Sequence, residues 1–136
     1  MKTIGIVGSR RRNSQEDFNS LEKKFLETYK EGDHIVSGGC PKGGDFYAEI
    51  LAKKYQIPIK IYYAQWDKLG KIAGFTRNTN IAEDCDVLIA LVASDRSGGT
   101  EDTIKKAKYM NKEIILLESP ETVSNDNVES DLENLI

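Results

Sequence analysis

Histidine is nearly missing from this chain: His34 is the only one among 136 residues. Cysteine is scarce too, with Cys40 and Cys85 alone, and neither belongs to a C-x-x-C pair. A zinc site of the usual Cys/His kind therefore has too few ligands, and no metal is expected. A Ser-His-Asp or Cys-His relay would have to run through His34, which opens the strand-like His34-Ile-Val-Ser and reads better as a packing or surface residue. Long apolar runs are also missing. The longest, Val87–Ala93, falls far short of the ~20 residues a membrane-spanning helix needs. No basic start followed by an apolar stretch opens the chain, because Met1-Lys2 leads straight into a strand-like segment. A cytoplasmic protein with no membrane partner and reduced thiols is the expectation.

A strong charge of either sign is absent as well. The net charge is −3, from 19 Lys+Arg and 22 Asp+Glu. A nucleic-acid polymer is thereby disfavoured, since its binders carry a strongly basic balance. The charge is unevenly spread. Glu118, Glu121, Asp126, Glu129, Asp131 and Glu133 fall in residues 118–136, which hold no Lys or Arg. The rest of the chain sets all 19 basic groups against the remaining 16 of the 22 acidic ones. A mildly basic body with an acidic tail leaves an anionic ligand open. The run Arg10-Arg11-Arg12 is the first place to look, with Arg11 and Arg12 read as solvated.

What is present is an alternation of short apolar runs with helical segments. Thr3–Val7, His34–Ser37, Pro58–Tyr62, Val87–Val92 and Glu113–Leu117 read as strands. Gln15–Lys30 carries Phe18, Leu21, Phe25 and Leu26 at helical spacing, with Asn13 or Ser14 as its cap and Gly32 at its end. Asp45–Tyr55, a short segment near Arg77–Asp84, and Thr100–Met110 read as further helices, and Trp66–Gly74 as a loop. This alternation predicts an α/β fold: one three-layer Rossmann-like domain with a mostly parallel central sheet, over residues 1–118. Residues 119–136 form a polar acidic end, read equally as a short docked helix or a frayed tail.

Ligands of open parallel sheets bind outside the carboxyl ends of the strands. Four segments fall there, and three are rich in glycine and serine. Gly8-Ser9-Arg10 offers a tight turn, a hydroxyl and a fixed positive charge, and equally fits a plain polar turn. Ser37-Gly38-Gly39-Cys40-Pro41-Lys42-Gly43-Gly44-Asp45 feeds a helix, where glycine-rich backbone presents N–H groups to an anion. It spells neither a Walker A motif nor G-x-G-x-x-G. Asp45 reads as a helix cap or as a partner of a ribose hydroxyl. Ser97-Gly98-Gly99-Thr100 leads into a second such helix, whose first turn holds Glu101 and Asp102. Those two acids either complement the helix dipole or do carboxylate chemistry on a sugar. Arg77 and Asn78 stand before the most apolar strand, Arg77 as an anion partner or a surface ion pair. Trp66, the only tryptophan, stacks on a base with Tyr62 and Tyr63 or covers the sheet edge.

Taken in order, these segments resemble the SLOG superfamily, the Smf/DprA and LOG relatives. The series is Gly8-Ser9-Arg10, Ser37-Gly38-Gly39 with Lys42-Gly43-Gly44-Asp45, Ala64-Gln65-Trp66, Ala73-Gly74 with Arg77-Asn78, Asp86, and Gly98-Gly99-Thr100. It is most similar to the small stand-alone YspA-related branch and spans about residues 3–117. The resemblance implies a Rossmann-like fold that senses or processes a nucleotide-derived ligand, without a cofactor, and that pairs into a homodimer. The LOG relatives are phosphoribohydrolases that cleave the N-glycosidic bond of a nucleoside monophosphate, with an Arg ahead of the central strand and a Glu in G-G-x-G-T-x-x-E. Arg77 matches the placement of that Arg, whereas Thr103 stands where the Glu would be and Glu101 and Asp102 are out of register.

The first expectation is therefore a domain that senses or sequesters a small nucleotide-derived or nucleotide-sugar ligand. Gly8-Ser9-Arg10 and the Gly38–Gly44 loop would hold phosphate, Gly98-Gly99-Thr100 a second phosphate or the ribose, and Trp66 the base. The alternative is a nucleotide N-glycosidic hydrolase with Asp45, Glu101 or Asp102 stabilising an oxocarbenium-like sugar and Arg77 holding phosphate. A DprA-like DNA-processing accessory ranks third.

Overall fold

The structure, a computed structural model, describes residues 1–119. The expectation for the acidic tail lies beyond them, apart from Ser119, which is buried. Five parallel strands form one sheet in the order β3-β2-β1-β4-β5, with β1 Thr3–Gly8, β2 His34–Ser37, β3 Ile59–Ile61, β4 Val87–Leu91 and β5 Glu113–Leu117. Helices α1 (Gln15–Thr28) and α2 (Gly44–Tyr55) cover one face. Helices α4 (Ala73–Asp84) and α5 (Gly99–Tyr109) cover the other. The fold is the three-layer Rossmann-like α/β domain.

The two-residue period of a strand explains the layers. Val87, Ile89 and Leu91 pack with Leu21, Phe25 and Leu51 beneath α1 and α2. Leu88, Ala90 and Val92 pack with Ile81, Ala82 and Ile104 beneath α4 and α5. Every residue of β4 is buried, as a central parallel strand covered on both faces requires. Gly5 lets Cys85 settle on the second face, since a Cβ there would lie 3.0 Å from the Cys85 Cβ. That burial pushes the Cys85 thiol up to about 11. Cys40 and Cys85 are both free thiols.

The helix ends follow local chemistry. Ser14 caps α1 in a capping box, accepting from the Asp17 N–H while Asp17 accepts from the Ser14 N–H. Asn13 serves elsewhere: its Oδ1 accepts from the Gly43 N–H at 3.1 Å. The helix stops at Thr28 rather than Lys30, because Tyr29 turns to extended backbone.

Two sequence expectations are corrected. The segment Trp66–Gly74 is not a loop but a short helix α3 (Trp66–Leu69), a 3₁₀ turn (Gly70–Ile72) and the start of α4 at Ala73. Four residues are too few to show a helical period, and Gly74 and Thr76 are weak helix formers. Packing decides instead: Ala73 is buried, and Trp66 lies against Gly74. Arg12 is not solvated. It is 5% exposed, and it binds Asp17 and the Val92 and Leu117 carbonyls. Among the described residues, no helix is long and apolar enough to cross a membrane.

Candidate functional site

The chain leaves β1 and β4 toward opposite sides of the sheet, so their carboxyl ends flank a switch point. A cavity of about 580 Å³ opens there. Three turns supply much of its lining, and α4 and the segment after β3 supply most of the rest. The first follows β1: Gly8, Ser9 and Arg10 line the cavity, and the Ser9 N–H is tied to the Leu91 carbonyl of β4 at 2.9 Å. The second follows β2 and supplies Gly38, Gly39, Cys40 and Asp45. The third leads into the first turn of α5 and supplies Gly98, Gly99 and Thr100.

Glycine is demanded at the junction of the first two turns. A Cβ on Gly44 would lie 2.5 Å from the Val7 carbonyl and the Gly8 nitrogen, so α2 starts flush against β1. The third turn differs. Gly98 needs its positive φ of 103°, but a Cβ on Gly99 would meet nothing within 4 Å. Neither packing nor backbone conformation asks for glycine at 99. The open space beside it lets a ligand approach the backbone. The α5 N-terminus has no side-chain cap, so the Gly99 and Thr100 N–H groups are available to an anion. Thr100 thus does not cap α5, as Asp45 does not cap α2.

Arg77 lies a full turn inside α4. Its Nη1 donates to the Gly38 carbonyl at 2.9 Å and its Nε to Asn78 Oδ1 at 2.8 Å. Asn78 is buried and passes the connection on, donating to the Gly99 carbonyl at 3.3 Å and to Asp102 at 3.1 Å. Arg77 and Asn78 thereby hold the second and third turns to one helix. Arg10 is exposed, and its Nε lies 3.1 Å from Cys40 Sγ. Trp66 and Tyr63 also line the cavity, 58% and 65% exposed. Tyr62 faces away, its hydroxyl on Asp84 and its ring under Lys60.

Five expected site residues do not line the cavity. Ser37 is buried and donates to the Ile6 carbonyl. Gly43 packs against Ser9, and Lys42 is exposed beyond the rim. Glu101 is paired with Arg96 at 2.8 Å, and Asp102 with Lys106 at 2.8 Å. Cys40, Tyr63, Ser97 and Thr103 do line it. Their positions just after β2 and β3 and around the α5 start were the available signal. Among the described residues, no group of three or more His, Cys, Asp or Glu is placed to hold a metal ion.

Among the described residues, Asp45 is the one carboxylate in the cavity lining. It is 7% exposed, and burial pushes its carboxyl up to about 6 against the opposing charge of Arg77, the Cys40 N–H and the Ser37 hydroxyl. The folded state holds this proton more tightly than the unfolded chain, so the site destabilises the fold increasingly from pH 3.8 to about 6. Asp45→Asn is therefore expected to raise stability above pH 6 by on the order of 2 kcal/mol, a gain that fades below pH 4. Urea unfolding at pH 4 and pH 8 measures this. A variant less stable than the wild type at pH 8 contradicts it.

No family model matches the chain, and neither a curated protein nor a solved structure matches it.

Proposed function

We propose that this domain binds a small nucleotide-derived ligand in the cavity between the carboxyl ends of β1 and β4. One observation carries the reading: backbone N–H groups, guanidinium groups and an aromatic pair converge on a single cavity at the switch point. The uncapped α5 N-terminus and Arg10 suit a phosphate. Trp66 and Tyr63 offer faces for a base. A volume of about 580 Å³ suits one small molecule rather than a polymer.

The test is thermal unfolding with a panel of nucleoside monophosphates, ADP-ribose and cyclic nucleotides, with chromatography of each sample. A ligand at ~100 times its Kd stabilises by about 2.7 kcal/mol, which raises Tm by roughly 10 °C in a domain of this size. The ligand should be recovered intact. Arg10→Ala should weaken it about tenfold or more without lowering the Tm of the free protein, because Arg10 is exposed. No stabilisation by any member of the panel contradicts the reading.

A second reading is nucleotide N-glycosidic hydrolysis, and Asp45 is the observation that favours it. With Glu101 on Arg96 and Asp102 on Lys106, Asp45 is the carboxylate positioned to stabilise an oxocarbenium-like sugar. Free base in the chromatograms, lost in Asp45→Asn, would select it.

A further inference from the structure

We propose that Asp45 is the specificity-determining residue of this cavity, selecting a phosphorylated sugar with a free hydroxyl pair over its 2-deoxy counterpart. The inference rests on the ligand-binding reading above and names the ligand class. The other charged side chains of the lining, Arg10, Arg11 and Arg77, are cationic. Among the described residues Asp45 alone repels anions there, so the ligand group opposite it is not the phosphate.

Its bonding is incomplete. Oδ2 accepts one long hydrogen bond, from the Cys40 N–H at 3.3 Å. The neighbouring Ser37 hydroxyl lies within hydrogen-bonding reach of the carboxylate but divides its single proton between it and the Ile6 carbonyl. Arg77 directs its Nη1 to Gly38 and its Nε to Asn78, and Asp45 forms no ion pair among the described residues. A carboxylate offers about four acceptor positions. A buried one left short of donors costs stability, and a cavity beside it is where donors can arrive.

The position of Asp45 narrows the donor. On one side Gly44 abuts Gly8, which begins the Gly8-Ser9-Arg10 turn. On the other, a Cβ on Gly38 would lie 2.7 Å from Asp45 Oδ2, and one on Gly39 would lie 2.6 Å from the Tyr63 ring. Asp45 thus stands beside the Gly8-Ser9-Arg10 turn on one side and, across Gly38 and Gly39, on the way to Tyr63 on the other, a place that suits the sugar of a nucleotide. Two adjacent hydroxyls can donate to the two oxygens of one carboxylate, and an ionised carboxylate accepts only.

The experiment is calorimetric titration at pH 7.5 with two matched pairs: AMP with 2′-deoxy-AMP, and ribose 5-phosphate with 2-deoxyribose 5-phosphate. The wild type should bind each deoxy compound about tenfold or more weakly. In Asp45→Asn and Asp45→Ala that ratio should fall below about threefold, chiefly through loss of the hydroxylated compound. A purely structural role would weaken both members of a pair alike. Equal binding of ribo and deoxy compounds by the wild type, or an unchanged ratio in the folded variants, overturns the inference and leaves the binding reading intact. Absence of binding by these four probes overturns this inference, and silence across the wider nucleotide panel overturns the binding reading.

Discussion

Arg12→Ala is expected to destabilise the domain by about 3–5 kcal/mol, the loss seen when one partner of a buried ion pair is removed. Arg12 Nε donates to Asp17 Oδ1 at 2.7 Å. Its Nη1 donates to the Val92 carbonyl at 2.7 Å and to the Leu117 carbonyl at 2.8 Å. One guanidinium therefore joins the start of α1 to the carboxyl ends of β4 and β5. Asp17 is also buried, and its other oxygen closes the capping box on Ser14. Removing Arg12 strands a buried carboxylate and leaves the Val92 carbonyl without this donor. The neighbouring Arg11 is a control. It pairs with Asp95 at 2.7 Å, but both side chains are more than half exposed, so Arg11→Ala should cost much less than Arg12→Ala. Urea midpoints of both variants at an unchanged denaturant slope measure the difference. An Arg12→Ala variant as stable as Arg11→Ala contradicts the assignment.

Gly44→Val should cost about 3 kcal/mol or more. Its Cβ would lie 2.5 Å from the Gly8 nitrogen and from the Val7 carbonyl carbon and oxygen. These are backbone atoms of β1 and cannot step aside as a flexible side chain would. Helix α2 would have to lift from the sheet, taking Tyr47, Ala48 and Leu51 out of their packing. Gly99→Ala is the matched contrast. Its Cβ would meet nothing within 4 Å, and its φ is not positive. Stability should stay within about 0.5 kcal/mol, while ligand affinity falls because the methyl occupies the approach to the α5 N-terminus. Urea unfolding and ligand titration of the two variants separate a glycine kept for packing from one kept for access. Equal losses of stability at both positions contradict the distinction.

The layers of the fold were legible in the sequence because β4 is apolar without interruption and the helices carry periodic apolar faces. Strand boundaries shifted by a residue or two, as at β3, which is Ile59–Ile61 rather than Pro58–Tyr62. Helix α3 was not legible: four residues carry no period, and its place follows from Trp66 resting on Gly74. The three arginines 10–12 look alike in sequence. Only the fold gives them an exposed rim position, a surface pair and a buried clamp. The glycine-bearing turns were legible because strand ends announce the carboxyl edge. The orientation of Glu101 and Asp102 was not, since it depends on Arg96 curling back and on Lys106 one turn along α5. Asp45 looked like a cap from its position in the first turn. Gly38, which leaves room for Asp45 Oδ2 and Arg77 Nη1 to approach, places it in the cavity instead.

The chain carries its own reporter for the central claim. Trp66 is the only tryptophan, lines the cavity and is 58% exposed. Titrating the protein with nucleoside monophosphates to about 1 mM while following Trp66 emission tests ligand binding at this place. The account predicts a saturable change in emission that Arg10→Ala weakens about tenfold. Emission that stays constant across the nucleotides, with calorimetry equally silent, would contradict it.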